Sequence, residues 1–267
     1  MLTIDHIRDR LSAYRPRSLS VEVRRHAAVA MLLRENNGGI DILLIRRAEH
    51  EKDPWSGDLG FPGGGIEDQD ASPQAAAERE TWEEIGVRLT PENYLGRTDD
   101  LAGAYLSVRI SCFVYLLDGD TDFKLNGEVV DLFWIPLTTL LEPERNRIKE
   151  FYYRGANRKH PVVVLDEWSA RPLWGITYRL INDFLNLFRL SFHHIDASDE
   201  LRKKEDCARH RRGLSGLDKS PAATDNQQTV RGWQRAMSCG ADKGLFTAVD
   251  STLQQPVPQH KIVKASH

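Results

Sequence analysis

Three glutamates stand at i, i+3 and i+4: Glu80, Glu83 and Glu84. On a helix that spacing puts all three on one face, where like charges repel and weaken the helix. A divalent cation would reverse the sign of that interaction. Mg²⁺ or Mn²⁺ suits such a set, because hard cations prefer carboxylate, carbonyl and water oxygens. A solvated acidic face would account for the three glutamates taken alone, since Glu is a good helix former. What precedes them changes the weight. Phe61-Pro62-Gly63-Gly64-Gly65 is a glycine-rich run. Glycines let backbone approach a ligand closely, and the start of a helix offers free N–H groups to phosphate oxygens. A loop of this kind beside a carboxylate face describes a site for metal-bound polyphosphate.

The elements that must position these groups are legible in part. Ser72 is a good N-cap, Pro73 suits the first helical position and Gly86 is a natural stop, so the spacing predicts a helix over Pro73 to Ile85. Upstream, residues 47–72 read as one long loop, a length that marks function or disorder in a compact domain. Two apolar runs, 26–33 and 40–45, flank Asn36-Asn37-Gly38-Gly39 and predict a buried hairpin. Further strands are expected at 108–117, 129–135 and 162–165. Ile176, Leu180, Phe184 and Leu187 form a helical stripe, which predicts a helix from about 173 to 190. Ile4, Ile7 and Leu11 predict a short amphipathic helix over 3–14, ended by Pro16. After Leu190 the chain turns polar and loses periodicity, so 193–267 is expected to be a poorly ordered tail. Its clusters Arg202-Lys203-Lys204 and Arg209-His210-Arg211-Arg212 read as solvated charge.

The stretch Arg79-Glu80-Thr81-Trp82-Glu83-Glu84-Ile85-Gly86-Val87 resembles the second half of the Nudix box, whose usual form is G-x5-E-x7-R-E-U-x-E-E-x-G-U with U a bulky apolar residue. Every fixed position of that half matches, and Thr81 stands where U is usual. The first half departs. In strict register the box glycine is Gly65 and the expected Glu falls on Ala71. Asp70 lies one place earlier, and its role is left open. The run from Leu43-Leu44-Ile45-Arg46-Arg47 through Gly57 to Phe61-Pro62-Gly63-Gly64 is similar to the signature of the coenzyme A pyrophosphatase branch. Ile45 there replaces Thr, Lys52 replaces Arg, and one extra residue lies between Lys52 and Gly57. Trp174-Gly175-Ile176-Thr177 also resembles that branch. The likeness covers about residues 22–190.

The resemblance implies an α/β fold, a Nudix-type α/β/α sandwich with a mixed β-sheet. It would occupy residues 21–192, behind a helical lead-in at 1–20. It implies metal ligation by Glu80, Glu83 and Glu84 with the Gly64 carbonyl, and Mg²⁺ or Mn²⁺ as cofactor. Arg79 would hold a glutamate through a charge-assisted pair. Glu80, Arg79 and Glu128 are the expected catalytic group, Glu128 being the carboxylate from a distant loop. Arg47, Lys52, Gly63 and Gly64 are expected to meet substrate, and Trp55 is either a base-stacking surface or a local hydrophobic anchor. The implied reaction is hydrolysis of the pyrophosphate bond in a nucleoside diphosphate linked to another group, with coenzyme A as a leading substrate. A hydrolase of nucleotide sugars or damaged nucleotides, and a non-catalytic binding module, are the rival readings.

Composition narrows the classes. The chain has 267 residues, 40% of them apolar and 28% charged, with a net charge of -3. That balance argues against a general nucleic-acid binder, which is usually basic. Cys112, Cys207 and Cys239 are odd in number and widely spaced, so free thiols and a reducing compartment are expected. The first residues lack the apolar core of a secretory signal, and no stretch reaches membrane-span length. The expectation is a cytoplasmic protein with a small-molecule partner, no membrane contact, and room for a homodimer.

Overall fold

The computed structural model describes residues 2–19, 25–50, 55–103, 107–117, 121–153 and 155–192. The expectations for Lys52 and for the tail 193–267 therefore lie outside the described residues. Helix α1 (Ile4–Ala13) is capped by Thr3, whose side chain accepts from the His6 N–H, and it buries Ile4, Ile7 and Leu11. Strands β1 (Arg25–Asn36) and β2 (Gly39–Arg47) follow. They pair antiparallel, with Asn36 opposite Gly39. Asn37 and Gly38 take φ of 48° and 77°. Two positive φ values are what a two-residue hairpin turn needs to match strand twist.

The stretch 47–72 is not one loop. It carries two short strands, β3 (Leu59–Gly60) and β4 (Gly63–Gly65). Strand β3 pairs with the end of β2, and β4 pairs antiparallel with the start of β1. Glycines have low strand propensity, so composition hid them. Helix α2 (Pro73–Ile85) has the bounds its caps predict: the Ser72 side chain accepts from the Ala75 N–H, and Gly86 adopts φ 72° at the C-terminus.

Strands β5 (Tyr94–Arg97), β6 (Leu101–Ala102), β7 (Val108–Leu116) and β8 (Val129–Pro136) complete an eight-stranded sheet. It is mixed: β1 and β7 run parallel from Arg25 opposite Val108 to Leu33 opposite Leu116, and the other pairs are antiparallel. After the short α3 (Leu137–Leu140), β9 (Asn146–Tyr153) and β10 (Ala156–Val163) form a separate hairpin. Only its end was expected, as a strand over 162–165. Its polar residues are mostly exposed, so no apolar run announced it. Helix α4 spans Gly175–Asn186 rather than 173–190. Trp174 is extended and acts as its N-cap, which shortens the helix from the front.

Strand β1 is apolar on both faces because both are covered. Ala28, Ala30 and Leu32 pack with Ala76, Ala77 and Ile85 of α2. Met31 and Leu33 pack with Ile7 of α1 and with Ile181, Phe184 and Leu185 of α4. The result is an α/β/α sandwich, with α2 on one side of the mixed sheet and α1 with α4 on the other. Among the described residues no helix is long and apolar enough to cross a membrane.

Candidate active site

Helix α2 turns one edge toward the glycine strand β4, and the site forms there. Gly63 has φ 148°, and an added Cβ would strike the backbone of Ala28 and Val29. Only glycine lets β4 lie this close against β1. At Gly64 an added Cβ would fall on the carboxylate of Glu80. The backbone of Gly64 thus lies against the Glu80 carboxylate.

Glu84 is buried, with its side chain 1% exposed. Its Oε2 accepts the Gly63 N–H at 2.9 Å, and Oε1 lies 3.4 Å from Nη1 of Arg47. Burial pushes its pKa up from 4.5 to about 7. The Gly63 N–H and Arg47 work against that rise, and the charges of Glu80 and Glu128 add to it. Burial also raises Glu80, with Arg79 opposing and Glu83 and Glu128 assisting. Glu128 itself is exposed, just ahead of β8. Its charge contributes to the upward shift of both Glu84 and the half-buried Glu80.

Arg79 organises the remaining acids. Its Nε and Nη2 donate to the two oxygens of Asp70, each at 3.0 Å. Nη1 donates to Glu80 and to Glu83 at 3.0 Å, and Nη2 also donates to the Gly65 carbonyl at 3.1 Å. The Asp70 side chain is only 4% exposed. The hydrogen bonds from Arg79 hold its carboxyl below the usual range. Sequence reasoning left Asp70 open; the structure makes it the anchor of Arg79, in the bidentate geometry that planar guanidinium favours. The signal that could have found it is the offset of the acidic residue from Gly64. Thr81, the departure from a bulky apolar position, is fully buried and donates to the Ala77 carbonyl at 2.7 Å. Its methyl fills the core while the helix backbone satisfies its hydroxyl.

The three glutamates do not form a finished cage. Among the described residues no group of three or more His, Cys, Asp or Glu is gathered closely enough to hold an ion. Each acid has taken another partner: Glu80 and Glu83 turn to Arg79, and Glu84 to Gly63 and Arg47. The repulsion inherent in i, i+3, i+4 carboxylates gives the reason. The donor chemistry nevertheless fits Mg²⁺ or Mn²⁺, being all oxygen and strongly anionic with a bare glycine backbone against it. Trp55 is half-buried against the core of the α4 side, which matches the hydrophobic-anchor reading.

Beside β4 a cavity of about 610 Å³ opens on the α4 side of the sheet, bounded by Gly63–Gly65, Arg47, Trp55, Ile110, Trp174 and Ile176 among others. Trp174 stacks on Phe151 of β9, with ring centroids 4.2 Å apart and planes 8° from parallel.

An α/β/α sandwich that presents a glycine strand to an acid-faced helix defines a class built around one loop–helix–loop. The family model described as the NUDIX domain matches residues 24–155. An uncharacterized Nudix hydrolase of Enterobacter, NudL, is 31% identical over 189 residues, covering 68% of this chain and 93% of that protein. The chain belongs to the Nudix hydrolase family. A probable nudix hydrolase of Schizosaccharomyces pombe is 32% identical over 163 residues, 61% of this chain. The chain spans 55% of that relative's length, and 39% of a second S. pombe relative's. Among solved structures, a MutT/nudix family protein of Enterococcus faecalis is 16% identical at a TM-score of 0.45, covering 70% of this chain and 69% of its own.

Proposed function

We propose that this chain hydrolyses the P–O–P link of a nucleoside diphosphate joined to a second group, in a reaction that depends on Mg²⁺ or Mn²⁺. Coenzyme A is the leading candidate substrate; its products would be an adenosine bisphosphate and phosphopantetheine. Support for that branch comes from the run Leu43 to Gly64, and from Trp174 to Thr177, which borders the same cavity.

The observation that carries the reading is the burial of Glu84. A carboxylate out of water and raised to about 7 costs the fold stability. A cation beside it would remove that cost. Strongly shifted groups in a cleft are where function concentrates. Glu80, Glu83, Glu84 and the Gly64 carbonyl would hold the ion. A bound Mg²⁺ or Mn²⁺ supplies charge that neutralises the diphosphate and acidifies water. Glu80 and Glu128 are the carboxylates we assign to accept the proton from the attacking water. Arg79, tethered by Asp70, keeps Glu80 and Glu83 oriented. We assign Arg47, at the end of β2 beside Glu84, to meet the scissile phosphates.

The test is a panel of diphosphate compounds, including coenzyme A, nucleotide sugars and oxidised nucleotides, assayed with Mg²⁺, with Mn²⁺ and with chelator. Turnover is expected with either metal and not with chelator. Glu83→Gln should lower kcat by about a hundredfold to a thousandfold, in the range seen when a transition-state electrostatic contact is lost. The Glu83 side chain is 52% exposed, so the loss should come without unfolding. Unchanged turnover in the mutant would remove the mechanism.

A further inference from the structure

Glu84 is sealed where an ion would have to reach it. Its side chain is 1% exposed, and among the described residues its carboxylate has two hydrogen-bonding partners, the Gly63 N–H on Oε2 and Arg47 Nη1 on Oε1. The two differ in their freedom to leave. Gly63 lies on β4, where an added Cβ would strike the backbone of Ala28 and Val29, so its N–H is fixed against β1. Arg47 is tied down at its backbone: its N–H donates to the Asp58 carbonyl at 3.1 Å, and the Ala48 N–H donates to the Glu128 carbonyl at 2.8 Å. The side chain beyond is long, 26% exposed, and borders the cavity that Gly63 and Gly64 also line.

The contact between Arg47 and Glu84 is loose. Nη1 and Oε1 are 3.4 Å apart, against 2.8 Å for the neighbouring pair Arg46–Asp131 and 3.0 Å for both bonds from Arg79 to Asp70. A charge-assisted bond at full strength is about 2.7–2.9 Å long. The register of β2 against β8 shifts between Arg46 and Arg47. Such bulges re-aim a side chain and gather beside active sites. Here the shift parts an arginine in a half-exposed ion pair from one held against a buried acid.

We infer that Arg47 is a placeholder cation: it covers Oε1 of Glu84 in the metal-free chain, is displaced when a divalent ion takes that oxygen, and is thereby released to the diphosphate. The inference rests on the metal-dependent hydrolase reading given above, and adds to it a coupling between metal and substrate. The reason is electrostatic. Oε2 is committed to backbone, so Oε1 is the oxygen left for an ion. A guanidinium and a divalent ion on one buried oxygen repel each other, and the repulsion is strong where water is scarce. The cation that leaves is the one on a flexible stem. A diphosphate along β4 gives it a new partner. Metal and substrate then favour each other's binding through Arg47, and by linkage the coupling is the same in both directions.

The experiment uses the full chain at alkaline pH, where protons compete little with Mg²⁺ for carboxylates. Mg²⁺ binding is measured by calorimetry without nucleotide, in wild type and in Arg47→Gln. The variant should bind Mg²⁺ more tightly by about fivefold or more, within the usual range of coupling between sites, because the competing charge is gone. Affinity for ADP with a methylene bridge in place of the scissile oxygen is then measured with Mg²⁺ and with chelator. Arg47→Gln should weaken it by about tenfold or more in Mg²⁺, the scale of one hydrogen bond to a charged group, and hardly at all in chelator. A merely structural pair gives neither the gain nor the split. Mg²⁺ affinity that is unchanged or lowered in the variant, or an equal nucleotide loss with and without Mg²⁺, overturns the exchange and leaves the hydrolase reading standing. A wild-type chain that binds no Mg²⁺ overturns both. Should Arg47→Gln fail to fold, the wild type decides through arginine labelling by phenylglyoxal, read by peptide mass at Arg47. Labelling should rise with Mg²⁺ and fall again when the ADP analogue is added; labelling that Mg²⁺ leaves unchanged overturns the exchange.

Discussion

Helices α2 and α4 lie on opposite sides of one sheet and are built on opposite principles. Helix α4 buries Tyr178, Leu180, Ile181, Phe184 and Leu185, an amphipathic stripe with no charge in its buried set. Helix α2 buries Ala76, Ala77, Thr81 and Ile85, and with them Glu84. Two of its buried apolar side chains, Ala76 and Ala77, are small, and its one buried ionisable group weakens the fold. Helix α4 fastens the sandwich, whereas α2 gives up packing for a carboxylate edge. The contrast teaches that the second face of the sheet supplies stability that the first face draws down.

The largest effect expected from this contrast is on α4. Phe184 is fully buried, and Phe184→Ala should lower unfolding free energy by about 3–5 kcal/mol, measured by urea denaturation. Turnover per folded molecule should be unchanged. A loss under about 1 kcal/mol would show that α4 is not the fastener.

The next effect has the opposite sign and lies on α2. The folded pKa of Glu84, about 7, is raised above its ordinary 4.5. The fold therefore binds more protons than the unfolded chain between those values, and stability is lost as pH rises through that window. In chelator, Glu84→Gln should be more stable than wild type at pH 8, by at most about 3 kcal/mol, a ceiling set by the size of the shift. The advantage should vanish near pH 4. A mutant no more stable than wild type at pH 8 would mean that α2 does not bear this cost.

The smallest effect concerns Asp70. Asp70→Asn weakens the hold on Arg79, and through it on Glu80 and Glu83. We expect a loss of about tenfold to a hundredfold in metal affinity or activity, the usual scale for a residue that orients ligands from behind. The Mg²⁺ concentration giving half-maximal rate should rise. An unshifted Mg²⁺ dependence would leave the Asp70–Arg79 pair a structural contact with no bearing on the metal.

Much of α2 was legible because its signals act over a few residues. Ser72, Pro73 and Gly86 set its two ends through capping bonds and backbone angles that need no distant partner. The hairpin turn at Asn37-Gly38 was legible for the same reason. The acidic face followed from spacing alone, and the Nudix likeness of Arg79 to Val87 from the resemblance of those residues to a known motif. The strands β3 and β4 were not legible, since glycine carries no strand signal and their pairing depends on β2 and β1. The hairpin of β9 and β10 hid behind its polar residues.

By itself, then, the sequence determined which residues share a helix face and where that helix begins and ends. Tertiary structure alone decided which of the three glutamates is buried. Glu84 takes its bonds from Gly63 and Arg47, 21 and 37 positions away. It also decided that Asp70 anchors Arg79, and that a cavity opens beside the glycine strand. Caps and turns are settled by neighbours in the chain; burial and charge pairing are settled by whatever the packed sheet brings alongside, which no local pattern records.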